Sequence, residues 1–202
     1  MTIRRLEDWG VPGEIPVDVP SATSDAGVAR ALIESGVCLL EGGDLWRTLG
    51  GSSDSDGRRG TRFTIDLLEV TIDDRSRSDA VSSVVVRRPW WTGGWWCGRV
   101  VFVMNAEFFG RHDVAPRGHP NDGRFELVEI DASMRRRERW QARRRALDGT
   151  HVPHPSITVT SSKVVRTGPG VLLVDGRRRG RVRSVEVTIR PDDAEVWIRR
   201  PD

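Results

Sequence analysis

Short apolar runs separated by turn residues dominate the chain. Val37–Leu40 is fully apolar, Phe63–Ile72 alternates moderately, Val81–Arg88 carries Val84, Val85 and Val86, and Val100–Met104 is apolar throughout. Further runs follow at Phe125–Ile130, Ile157–Thr160, Lys163–Arg166, Val171–Val174, Arg183–Arg190 and Glu195–Ile198. Runs of this length bounded by Gly, Pro, Asn and Asp read as strands, and their spacing predicts a sandwich or barrel-like β domain. Two segments break the pattern. Thr23-Ser24-Asp25 offers capping side chains ahead of AGVARALIES, whose apolar spacing predicts a helix stopped at Gly36. Asp131-Ala132-Ser133 precedes MRRRERWQARRRALDG, a helix with only a narrow apolar stripe of Met134, Trp140 and Leu147. The expected class is mainly β (α+β): an antiparallel sandwich-like domain over 61–202 with one or two helices, after a small α/β segment over 1–60.

Composition narrows the setting. A chain of 202 residues makes one domain, or one with a small appendage. No apolar run is long enough for a membrane-spanning helix, and MTIRRLEDWGVPGE lacks the apolar core of a signal peptide, which points to the cytoplasm. The basic residues, 32 against 29 acidic ones, are too balanced for a dedicated nucleic-acid binder. Lys163 is the only lysine, and arginine's planar fork suits phosphate and carboxylate groups, so attraction to an anionic lipid surface stays open. The arginines from Arg135 to Arg145 read as a solvated helix face, as contacts to lipid or nucleotide phosphates, or, least well, as a DNA-binding run.

Candidate chemistry lies in the connections. The stretch Asn105–Leu127 is a long loop holding Gly110, Pro116, Gly118, Pro120 and Asn121-Asp122-Gly123, with Phe108, Phe109, Val114 and Phe125 to pin it. Long loops of this kind in compact domains are functional or disordered, and the aromatic pins predict order. Asp122 is either a turn residue or, with neighbouring backbone carbonyls, a hard-cation ligand. Gly42-Gly43-Asp44, after the Val37–Leu40 strand, is either a turn or a loop whose backbone approaches a phosphate. Trp90, Trp91, Trp95 and Trp96 flank Thr92-Gly93-Gly94 and predict two strands joined by a glycine turn, with tryptophans on an edge or on a lipid-facing patch. Asp73–Asp79 reads as a charged turn, residues 1–20 as an extended lead-in, and 52–60 as a polar, mobile segment. His151 and His154 lack a third zinc ligand, and Cys38 and Cys97 lack metal-ligand spacing.

Several of these pieces, taken in order, resemble a known family. Asn105, Phe108-Phe109-Gly110, Ala115-Pro116, Asp122-Gly123, then Val171–Val174, Asp175-Gly176 and the closing strands are similar to the C-terminal domain of bacterial diacylglycerol kinases and sphingosine kinase-like lipid kinases, across residues 81–199. The resemblance implies ATP-dependent phosphorylation of a lipid hydroxyl. It implies nucleotide contacts from Gly42, Gly43, Asp44 and Thr48, with Asp44 as the catalytic residue. It also implies a structural Mg²⁺ at Asp122, with backbone carbonyls of His119 and Arg124.

Two departures weigh on that activity. The family's Gly-Gly-Asp-Gly-Thr is here Gly42-Gly43-Asp44-Leu45-Trp46, and the stretch before it is too short for the family's several βα units. The nucleotide part is therefore expected to be truncated, with a second copy or another chain supplying it. The family's Asp-Gly-Glu turn, whose glutamate is held to activate the hydroxyl, is here Asp175-Gly176-Arg177, and a guanidinium cannot accept a proton. The alternative is a non-catalytic module of the same fold that binds lipid or a partner, peripheral to a membrane.

Overall fold

The computed structural model describes residues 9–52 and 57–199. Residues 1–8 of the expected lead-in and residues 53–56 of the expected polar segment lie outside the described residues. Along the chain run β1 (Val11–Glu14), β2 (Ser21–Ala22), α1 (Asp25–Ser35), β3 (Val37–Leu40), α2 (Asp44–Thr48), β4 (Arg59–Ile72), β5 (Ser76–Ala80) and β6 (Ser83–Arg87). Then come β7 (Val100–Met104), β8 (Phe108–Phe109), β9 (His112–Asp113), β10 (Phe125–Ile130), α3 (Arg136–Arg145), β11 (Ile157–Ser162), β12 (Val164–Thr167), β13 (Gly170–Val174), β14 (Arg177–Val182) and β15 (Val185–Ile198).

Two sheets carry the fold. One is ordered β1-β4-β15-β3-β2, with β5 on β4 and β12 on β15. The other is ordered β11-β10-β7-β6-β13-β14. The class is thus mainly β, with sheets antiparallel except where β2 and β15 flank β3 in parallel. The β2-α1-β3 unit is the small α/β element that the helix-then-strand pattern predicts. Its strands, with β1, are hydrogen-bonded into the sheet that β4 and β15 build.

Alternation along the two longest strands organises two apolar cores, and the far side of the second sheet carries a third. Phe63 and Ile65 of β4 and Val196 and Ile198 of β15 pack under Val28 and Leu32 of α1. Further along the same strands, Leu68, Val70, Val185 and Val187 face the second sheet's Val84, Val101, Val103, Leu172 and Val174. Because successive side chains of a strand alternate faces, Val85, Phe102, Val128, Val171 and Leu173 point to the opposite side of that second sheet. There they meet Met134 and Ala142 from the region of α3.

Local details differ from the pattern-based expectation in four places. The stretch 73–79 is a hairpin, not a turn alone. Asp73 and Asp74 take positive φ, and β5 then pairs back on β4. The tryptophan segment is not a pair of strands but a 3-10 turn (Trp90–Thr92) followed by bends. Pro89 has no N–H for a ladder, and Gly93, Gly94 and Gly98 all take positive φ. Residues 177–182 (RRRGRV) form the edge strand β14, hidden from sequence reading by its arginines. Finally, Val11–Glu14 of the proline-rich lead-in joins the sheet as an edge strand, where a missing N–H is tolerated.

Candidate functional site

The glycine loop after β3 is built around a carboxylate. Asp25, at the first turn of α1, accepts hydrogen bonds from Asp44 N–H (2.9 Å) and Leu45 N–H (3.1 Å). Its side chain thereby satisfies the first amides of α2 from outside that helix. The two glycines follow from this closeness. A Cβ on Gly43, whose φ is +104°, would stand 2.4 Å from Asp25 Oδ1, and one on Gly42 would stand 2.7 Å from the Thr23 carbonyl. Burial pushes the Asp25 carboxyl above its usual range, although the two amides oppose that.

Asp44 itself turns to the opening of the Asn105–Leu127 loop. Its Oδ2 accepts Gly110 N–H (2.9 Å), while Arg47 donates to the Gly110 carbonyl and lies over the Phe108 ring (5.3 Å). Thr48 Oγ1 donates to the Asp44 carbonyl (2.9 Å) and accepts Glu107 N–H (3.1 Å). Burial, and then the charge of Asp25, push Asp44 up to about 6 despite the Gly110 bond. A group poised there can hold or release a proton near neutrality.

A third carboxylate lies behind these two. Asp175, buried, accepts Val81 N–H, Ser82 N–H, Ser82 O–H and Ser83 N–H at 2.9–3.1 Å. Burial and the nearby Asp25 charge push it up to about 6. The Asp175-Gly176 turn read from sequence is thus a polar knot that ties β13 to the start of β6. Arg177, next along the chain, is exposed.

The expected cation loop is organised by backbone amides. Asp122 Oδ1 accepts Arg124 N–H (3.1 Å), closing a turn, and His119 Nδ1 accepts Asn121 N–H (3.2 Å). Asp66 accepts Gly123 N–H and Asp192 N–H, and Asn121 donates to Asp192. Burial pushes Asp122 upward. Among the described residues no group of three or more His, Cys, Asp or Glu side chains could hold a metal ion. Asp66, Asp122 and Asp192 stand close enough for their charges to act on one another, each engaged by a backbone amide or by Asn121. The expected Mg²⁺ set, the Asp122 carboxylate with the carbonyls of His119 and Arg124, draws on backbone oxygens and is not such a group of side chains.

Sequence reasoning missed an apolar pocket of about 240 Å³ between the outer face of the second sheet and α3. Trp95, Phe102, Phe109, Val128, Ile130 and Met134 supply its walls, with Arg139, Arg143, His112 and His151 among the polar lining groups. Trp95 stacks on Phe102 (5.8 Å), and Phe109 meets both rings. Arg139 is buried and fastens the tryptophan segment to α3. It donates to the carbonyls of Trp95, Gly98, Asp131 and Met134. The pocket and Asp44 adjoin through two consecutive residues: Phe109 lines the pocket, and Gly110 N–H is held by Asp44. The signal available in the sequence was the alternation of β7 and β10, which leaves Phe102 and Val128 on a face that the narrow stripe of α3 only partly covers.

No protein-family model and no curated protein sequence matches the chain. Solved structures do. A diacylglycerol kinase from Bacillus anthracis str. Sterne superposes over 88% of this chain and 74% of its own, with a TM-score of 0.58 at 10% identity. Two further structures from the same organism, of proteins assigned as diacylglycerol kinases, give TM-scores of 0.61 at 9% and 10% identity. They cover 87% and 88% of this chain and 76% of each of theirs. At such identity the likeness carries the fold and leaves the chemistry to the site. This chain therefore has the fold of bacterial diacylglycerol kinase-like proteins.

Proposed function

We propose that the protein is a lipid-binding module on a lipid-kinase fold, which takes an acyl chain into the pocket between the second sheet and α3. The observation that carries this reading is the pocket's lining. Cavities walled by aliphatic and aromatic side chains exclude water and favour apolar ligands, while a few polar groups at the edge orient them. The test is titration of dansylated undecanoic acid, below its micelle concentration, against the protein and an Ala142→Phe variant that fills the pocket. Saturable binding by the parent and its loss in the variant support the reading; equal signals from both reject it.

A second reading, ATP-dependent phosphorylation of a lipid hydroxyl, draws support from Asp44. Its carboxyl, pushed up to about 6, holds the N–H of Gly110, the chain neighbour of the pocket wall residue Phe109, where a lipid hydroxyl would need a base. Against it stands Asp25, whose carboxylate already occupies the amides of Asp44 and Leu45 that a nucleotide phosphate would require. Gly42 and Gly43 lie close against Thr23 and Asp25, and Thr48 Oγ1 is bonded to the Asp44 carbonyl and to Glu107 N–H. On this reading ATP would need its main cradle from another copy or chain. Mg²⁺ would arrive with the triphosphate, since it takes few protein carboxylates. Labelled ATP, Mg²⁺ and dioctanoylglycerol test it: transfer that disappears in Asp44→Ala supports the kinase, and no transfer above that control leaves the module.

A further inference from the structure

The outer side of the second sheet carries a cationic and aromatic face beside the pocket. Arg87 of β6 and Arg181 of β14 both lie opposite Val171 of β13, so the three side chains share one side of the sheet. Arg178 lies opposite Leu173 in the same way. Val171 and Leu173 belong to the core under α3, which fixes that side as the pocket side. The 3-10 turn that follows β6 then places Trp90 and Trp91 here, 77% and 50% exposed and edge-to-face at 5.9 Å. Arg181 lies over the Trp91 ring at 5.0 Å, and Arg87 over Trp95 at 4.7 Å.

Two features of this face call for an anionic, partly apolar occupant. Arg87 is partly desolvated, which lowers its pKa, and the like charge of Arg178 nearby lowers it further. Among the described residues no carboxylate pairs with Arg87, Arg178 or Arg181, although seven other ion pairs occur elsewhere. Adjacent tryptophans exposed to this degree are a cost in water, yet an indole is at home at a membrane–water boundary, where its ring is buried and its N–H stays wet. Arginines beside it add attraction to acidic headgroups.

We propose that Trp90, Trp91, Arg87, Arg178 and Arg181 form a docking face for an anionic lipid bilayer. The inference stands apart from the pocket, which concerns a single acyl chain. Docking in this orientation sets the tryptophan segment, whose Trp95 and Trp96 line the pocket, against the lipid. A nucleic acid would share the charge but has no use for an exposed tryptophan pair lying at the end of a sheet rather than along a groove.

Vesicle co-sedimentation tests the proposal, with phosphatidylcholine vesicles lacking or containing phosphatidylglycerol and with duplex DNA as a competing polyanion. The parent binds vesicles containing phosphatidylglycerol, and binding falls as salt is raised. Replacing both exposed tryptophans (Trp90→Ala with Trp91→Ala) weakens it by roughly tenfold, in proportion to lost apolar burial. Arg178→Glu with Arg181→Glu weakens it by at least roughly 25-fold, since each arginine near such a surface is worth about fivefold. All four positions are exposed, so the variants keep the parent's melting temperature. Equal binding by the parent and both double variants, or binding to DNA without binding to vesicles, overturns the proposal. The pocket is scored separately. Loss of dansylated-acid binding in Ala142→Phe with unchanged vesicle binding supports the docking face on its own, and vesicle binding that vanishes in Ala142→Phe but survives both surface variants overturns it.

Discussion

At the scale of single residues, three carboxyls do unlike things. Asp175 is a structural acceptor. Removing it in Asp175→Ala strands the amides of Val81, Ser82 and Ser83 in a buried site, and should cost about 3 kcal/mol or more in urea unfolding, with Asp175→Asn costing less. Its raised pKa fixes a sign as well. A carboxyl at about 6 when folded, against 3.8 unfolded, holds more protons in the native state between those values, so its contribution to stability falls as pH rises from about 4 to about 6. The Asp175→Asn variant lacks that slope. Unfolding free energy of the variant relative to the parent should therefore rise across this window and level off above pH 7; a flat difference would show that Asp175 is ionised throughout. Asp25 and Asp44 divide the glycine loop between them, one holding the α2 amides and the other the Gly110 N–H. Nothing in Gly42-Gly43-Asp44 as a string distinguishes a loop wrapped on its own aspartate from one open to phosphate. The difference lies in Asp25, nineteen positions earlier, which sequence reading took only for a capping residue.

At the scale of elements, glycines and arginines explain where the pattern was readable. The strands β3, β7, β10 and β13 are legible because their apolar runs are bounded by turn residues, and α1 because Gly36 stops it in a left-handed conformation. The segment from Trp90 to Gly98 was not legible as a 3-10 turn, since tryptophans carry high strand propensity and the breaking role of three positive-φ glycines depends on their backbone. The edge strand β14 was hidden for a related reason. An edge has little apolar content to show, and arginines protect it from pairing further. Two substitutions gauge the glycine argument. Gly43→Ala meets both a positive φ and the Asp25 carboxylate, and should destabilise by about 2–3 kcal/mol. Gly36→Ala meets only the φ, with open space around it, and should cost about 1 kcal/mol. Equal losses in thermal unfolding would remove Asp25 as the reason for Gly43. Arg139 is the strut of the pocket. Arg139→Lys keeps the charge but cannot span four carbonyls, so it should lose about 2 kcal/mol and loosen the tryptophan segment, seen as red-shifted tryptophan emission.

At the scale of the whole molecule, the two sheets act as a platform with different work on its sides. The inner side is a buried apolar core, and the outer side holds a pocket that α3 roofs incompletely. No helix among the described residues is long and apolar enough to cross a membrane. On the proposed reading, the fold supplies a scaffold whose apolar pocket adjoins Asp44 through Phe109 and Gly110, while the amides suited to phosphate are used internally. The measurement that tests this most directly is a thermal shift with two ligands, since whatever binds only the native state must raise its melting temperature. Dioctanoylglycerol should raise the melting temperature of the parent and leave Ala142→Phe unmoved, and ATP with Mg²⁺ should raise neither. A shift from ATP with Mg²⁺ that Asp44→Ala abolishes, without one from the lipid, would contradict the account.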